Sequence, residues 1–96
     1  MGDDLIKTAA AISSRLDKLE EERQRIALEG FAALERVDPE TATIAKNTFD
    51  DRQIAADWLT DEVESLGYLT PWQCMADGNR EAVHRILNAI EYGLPA

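Results

Sequence analysis

Residues 66–96 read LGYLTPWQCMADGNREAVHRILNAIEYGLPA, and they hold a helix start, a turn, an amphipathic helix and a firm stop. Thr70-Pro71-Trp72-Gln73 has the form of a capping box. The Thr70 hydroxyl accepts from the amide of Gln73, the Gln73 side chain reaches back, and Pro71 stands where no amide is missed. Asp77-Gly78-Asn79 then breaks the chain, with Gly78 free to take positive φ and Asp77 or Asn79 available to cap the next helix. Val83, Ile86, Leu87 and Ile90 recur at helical spacing, so residues 79–92 read as an amphipathic helix with a narrow apolar stripe. Gly93 fits the left-handed position past its end, Leu94 folds back toward Ala89, and Pro95 forbids continuation.

Working outward, Asp3 or Asp4 caps a helix that meets no proline or turn cluster until about Val37. Leu5, Ile12, Leu19, Ile26 and Ala33 fall seven apart, with Ala9, Leu16, Arg23, Gly30 and Val37 between them, giving the 3.5-residue stripe of a coiled-coil seam. Arg23 and Gly30 are its imperfections. Beyond Ile26 the apolar residues Ala27, Leu28, Phe31, Ala32, Leu34 and Val37 cover most of the circumference, so that end is expected inside a globular body. A helix of about 34 residues runs about 50 Å, whereas a compact domain of this length is only about 32 Å across. The first half must therefore protrude, bend at Gly30 or pair with another chain. Pairing with a second copy is favoured, because burying Leu5, Ile12, Leu16, Leu19 and Ile26 yields about 1.5–3 kcal/mol each.

Asp38-Pro39 stops that helix and caps the next, a short and mostly small segment over residues 40–46. Thr48-Phe49-Asp50-Asp51 reads as another start, with its acids where the helix dipole favours them. The helix beyond it is expected to turn Ile54, Ala55, Trp58 and Leu59 inward and to run on through Val63 to Leu66, with Gly67 ending it. No run alternates like a strand. The expected fold is all-α: a long N-terminal helix over residues 1–37 for oligomerisation, then a compact bundle of about four short helices over residues 38–96.

The succession Trp58-Leu59, Leu66-Gly67, Pro71, Gly78, Val83, Leu87 and Ile90-Glu91-Tyr92-Gly93-Leu94-Pro95-Ala96 resembles the toxin-binding domain of the Xre/MbcA/ParS antitoxins, over about residues 49–96. That resemblance implies a non-enzymatic antitoxin paired with a RES-domain toxin that consumes NAD or uses it for ADP-ribosylation. It also implies that the toxin's cleft is blocked by the antitoxin's C-terminal end. Carried onto this chain, the inserting residues are Glu91, Tyr92, Gly93, Leu94, Pro95 and Ala96, with Arg80 and Arg85 as a polar rim. Glu91 and the terminal carboxylate would meet basic residues of the cleft, and Tyr92 an aromatic or ribose subsite. From the residues alone, Gly93-Leu94-Pro95 is a helix stop and a tail. The alternative from another class is a dimeric adaptor whose coiled coil joins two copies of a small binding module.

Composition narrows the classes. The single cysteine, Cys74, excludes an internal disulfide and a cysteine-rich metal site, and reads as a small core residue. No apolar run reaches membrane-spanning length and the start lacks a signal-peptide layout, so the expectation is a cytoplasmic protein with no membrane contact. His84, the only histidine, lies off the last helix's stripe or at its edge and reads as exposed and ordinary; Asp50-Asp51 and Glu20-Glu21-Glu22 lack the flanking residues of metal loops. No catalytic residue, metal or cofactor is assigned. Net charge is −9, and residues 38–66 hold eight acids against Lys46 and Arg52, an acidic middle that repels phosphate and suits a basic protein partner. The family's usual helix-turn-helix is replaced here by one long helix, so no nucleic-acid binding is expected of this chain.

Overall fold

The computed structural model describes residues 2–93. One helix, α1 (Gly2–Val37), is followed by α2 (Pro39–Phe49), α3 (Arg52–Leu59), a 3-10 turn (Glu64–Leu66), α4 (Pro71–Ala76) and α5 (Arg80–Glu91). The fold is all-α, and the only β-type pairing among the described residues is an isolated bridge between Val63 and Leu69. α1 is continuous through Gly30, and its 36 residues, at about 1.5 Å each, account for the molecule's longest dimension of 54 Å against 29 and 26 Å across.

Residues 2–22 of α1 are exposed on every side, and contact with the body begins at Arg23. Leu5 is 71% exposed, Leu16 60% and Leu19 65%. The last third of α1 lies in the core instead, where Ala27, Phe31 and Leu34 are buried against Ala42 and Ala45 of α2 and Ala55, Ala56 and Leu59 of α3. Alanines on α2 and α3 let the helices approach closely around Phe31, whose ring also carries the Arg52 guanidinium 5.3 Å from its centroid. Val83, Ile86 and Leu87 of α5 and Cys74 of α4 complete the core. Gly30 is explained by α4: a β-carbon there would stand 3.1 Å from Cζ2 of Trp72, so the glycine admits the indole. Ile26 and Val37 remain exposed, so the apolar end of α1 is buried on one face and not all round.

Local chemistry sets most boundaries as expected. Thr70 and Gln73 form both bonds of the capping box. Asp38 caps α2, accepting from the Thr41 amide. α4 ends in a Schellman closure, Asn79 N–H to Cys74 O and Gly78 N–H to Met75 O, with Gly78 at φ 83°. Asn79 sits at the N-cap of α5 without a side-chain capping bond.

Three expectations fail. α2 runs to Phe49, so Thr48 and Phe49 end one helix and do not start the next; the cap of α3 is Asp51, whose carboxylate accepts from Ile54 N–H at 2.8 Å. Ile54 is 52% exposed. The close approach of Ala55 and Ala56 rotates the buried arc of α3 toward Ala56 and leaves Ile54 outside it. α3 also stops at Leu59 rather than Leu66. Thr60 and Asp61 close tight bonds back to Asp57 and Trp58 carbonyls, and Arg23 of α1 reaches the Thr60 hydroxyl and, at 3.5 Å, the Asp61 carboxylate. A contact 37 residues away in sequence thus pins this corner.

The chain then closes a second Schellman turn on the 3-10 segment, with Gly67 N–H on Glu64 O and Tyr68 N–H on Val63 O. Gly67 takes φ 70°, and Tyr68 follows at φ 65°. A bulky residue in that region costs on the order of 1–2 kcal/mol.

Candidate functional site

α5 is held along its length against α2. In its first turn Arg80 forks onto Asp38, Nε to Oδ2 at 3.1 Å and Nη2 to Oδ1 at 3.2 Å, and Nη2 also donates to Glu40 at 2.9 Å. One turn on, His84 Nε2 lies 2.6 Å from the hydroxyl of the buried Thr41, which itself lies 2.6 Å from Asp38 Oδ2. A hydroxyl has one proton, and an ionised carboxylate only accepts. Thr41 therefore donates to Asp38, and His84 donates from Nε2 to Thr41. The Thr41 hydroxyl bond holds the Asp38 carboxyl below its usual range, with the Thr41 amide, Arg80 and His84 adding in the same direction and burial opposing them. Further along, the Thr48 hydroxyl donates to Ile44 O and also lies 3.4 Å from Leu87 O.

His84 is therefore half-buried and structural, a correction to the reading of it as exposed. Sequence reasoning also missed the roles of Asp38 and Thr41. One signal was available: Arg80 and His84 stand four apart, on one face of α5, and the acceptors they need cluster at the proline junction Asp38-Pro39-Glu40-Thr41. The resemblance puts Arg80 at the rim of an interface, but its guanidinium is engaged within the chain; Arg85 is exposed on another face.

The far end of this anchored helix is bare. Glu91, Tyr92 and Gly93 are exposed, Tyr92 at 73%, and Ile90 is partly uncovered. Gly93 adopts φ 67° and its N–H returns to Ile90 O, so the helix terminates as its sequence requires. Leu94, Pro95 and Ala96, named with these three as the inserting end, lie outside the described residues. The seam residues Leu5, Ile12, Leu16 and Leu19 lie exposed along the protruding part of α1, and Ile26, also exposed, stands where the helix enters the body.

Elsewhere the surface offers a shallow apolar groove of about 400 Å³ between α1 and α4, lined by Leu34, Val37, Trp72 and Met75 and ending at the Asp38–Arg80 pair. Among the described residues no group of three or more His, Cys, Asp or Glu side chains could hold a metal ion, and no helix is long and apolar enough to cross a membrane.

No curated protein and no solved structure matches this chain. The family model of the antitoxin Xre/MbcA/ParS C-terminal toxin-binding domain matches residues 45–93, just over half of the chain, from the last turns of α2 to the end of α5. The protein belongs to the Xre/MbcA/ParS antitoxin family.

Proposed function

We propose that this antitoxin neutralises a RES-domain toxin, one that consumes NAD or uses it for ADP-ribosylation, by direct binding and occlusion of its active-site cleft. The family's toxin-binding role supports the antitoxin part of that reading. The occlusion part rests on one observation: α5 is clamped to α2 at Arg80 and His84 and then presents Glu91, Tyr92 and Gly93 free of the body. A helix fixed at its base delivers its tip with little ordering cost on binding. Glu91 would pair with cationic residues of a cleft built for an anionic cofactor, and Tyr92 would fill an aromatic or ribose subsite. The chain performs no chemistry of its own; it acts as a stoichiometric cytoplasmic inhibitor, a homodimer through Leu5, Ile12, Leu16, Leu19 and Ile26.

The first test is whether the adjacent reading frame encodes a RES-domain protein; the second is co-expression with that neighbouring product, read by co-purification and by survival of the host. Deleting residues 92–96 is expected to abolish protection while melting falls only slightly, since Tyr92 and Gly93 are exposed and stand outside the core. Ala96→Arg adds bulk and a positive charge beyond any helix cap. It is expected to change stability by less than about 0.5 kcal/mol and to weaken the complex severely. Protection retained by both variants would rule out the terminal plug.

A further inference from the structure

The corner from Val63 to Leu69 is closed by backbone bonds, including Val63 N–H to Leu69 O at 3.0 Å. Its Schellman turn needs one left-handed residue, and Gly67 supplies it. Tyr68 is left-handed as well, a conformation that penalises a bulky side chain and costs glycine nothing. Packing normally offsets such strain. Here Tyr68 is 63% exposed, joins neither the core cluster nor an aromatic pair among the described residues, and has the exposed Leu69 beside it. The isolated fold is worse off for this residue, yet it displays an amphipathic ring of the kind that anchors interface centres.

The surroundings say what kind of surface would meet it. Asp61, Glu62 and Glu64 are exposed around the corner; Asp61 faces Arg23 at 3.5 Å, and Glu62 and Glu64 make no ion pair among the described residues. A second copy of a chain with net charge −9 would bring like charge to this rim. We infer that Tyr68 and Leu69 form a second contact with the toxin, docking in an apolar depression edged by Arg or Lys, apart from the contact made by the C-terminal end. The inference rests on the antitoxin reading above, and the corner lies within the stretch matched by the toxin-binding family. The two contacts come from separate places in the fold. α5 packs beside Thr48, just before α3 begins, whereas this corner comes after the end of α3.

Tyr68→Gly removes the ring and the strain together, so its effects on folding and on binding have opposite signs. The protein is titrated calorimetrically with a purified RES-domain toxin that the wild type neutralises on co-expression, and melted separately. The variant is expected to melt at or above the wild-type temperature and to bind about tenfold more weakly or worse. Tyr68→Asn, which tolerates the left-handed region without glycine's flexibility, is expected to weaken binding equally, and Tyr68→Phe to retain most of it. A lower melting temperature for Tyr68→Gly would mean that the ring supports the body, and the proposal falls. Unchanged affinity removes the corner contact and leaves the terminal plug standing, since the truncation tests that separately. A change in sedimentation of the free antitoxin with affinity intact assigns the corner to a second copy instead. Failure of the wild type to bind the RES-domain protein overturns the antitoxin reading and this contact together.

Discussion

Leu5 to Leu19 and Ala27 to Leu34 are two stretches of one unbroken helix, both striped with apolar residues, and only the second stripe is covered. Leu16 and Gly30 stand two heptads apart, so after a drift of about 40° they lie on nearly the same line along α1. At Gly30 that line is occupied by the Trp72 indole, and at Leu16 nothing of this chain covers it. The residue types differ accordingly. The covered stretch uses Ala27 and Gly30, which let neighbouring helices and an aromatic ring come close, with Phe31 and Leu34 as the large fillers. The bare stretch uses Leu and Ile at seam spacing, flanked by mixed charges such as the Glu20–Arg23 pair at 2.7 Å. Small residues fit an irregular body of short helices; a regular run of large ones fits another long helix.

The sharpest contrast comes from truncating one large side chain in each stretch. Phe31→Ala empties the centre of the core and removes the ring beneath Arg52, so it is expected to cost about 3–5 kcal/mol. Ile12→Ala removes an exposed side chain, and for the isolated chain the expected change is below about 0.5 kcal/mol. Urea unfolding at low micromolar concentration gives both numbers. Comparable losses that do not depend on protein concentration would mean that the protruding stretch folds against the body in solution, since a loss from a seam between copies would vary with concentration.

Gly30 tests the boundary between the two. Gly30→Leu would extend the seam by one large residue, and it pushes directly on Trp72. Overpacking is expected to cost about 1–3 kcal/mol, of which about 1 kcal/mol is offset by the better helix propensity. The indole should move toward solvent, shifting tryptophan emission to the red. A variant more stable than the wild type, with emission unchanged, would show that the seam continues past the body and that the indole is a loose cover.

How much of the fold is legible in the sequence depends on the range of the interactions involved. The capping box at Thr70–Gln73, the Asp38 cap and the glycine turns at Gly78 and Gly93 each depend on residues within one or two turns, and each was legible. The continuity of α1 through Gly30 was left open, because the glycine there answers to the distant Trp72 and not to its own helix. The end of α3 depends on Arg23, the exposure of Ile54 on which face of α3 the alanines press against their neighbours, and the role of His84 on a threonine 43 residues away. No local pattern carries that information. The left-handed Tyr68 was illegible for a different reason, because a tyrosine argues against the conformation it adopts. At the candidate site, the helix stop at Gly93 was readable from local residues and Glu91, Tyr92 and Gly93 were singled out by the family resemblance, whereas the Asp38–Thr41–His84 chain that fixes the helix's base was not legible.

The smallest effect on folding is expected from the change that matters most to assembly. Leu16→Glu combined with Leu19→Glu places two charges in the bare stripe, at positions already 60% and 65% exposed. For the isolated chain the melting transition should move by less than about 0.5 kcal/mol, since neither side chain touches the body. If the stripe is covered by a second copy, the consequence appears elsewhere. Wild-type protein would sediment as a dimer, and its melting temperature would rise with concentration, because partner binding stabilises the folded state by mass action. The double variant would sediment as a monomer with a concentration-independent melting temperature matching dilute wild type. Burial of Leu5, Ile12, Leu16 and Leu19 at about 1.5–3 kcal/mol each is ample for this, even after the entropy of association takes its share. A wild type that remains monomeric at high micromolar concentration would end the self-pairing account, and the bare stripe would then need a partner of another kind.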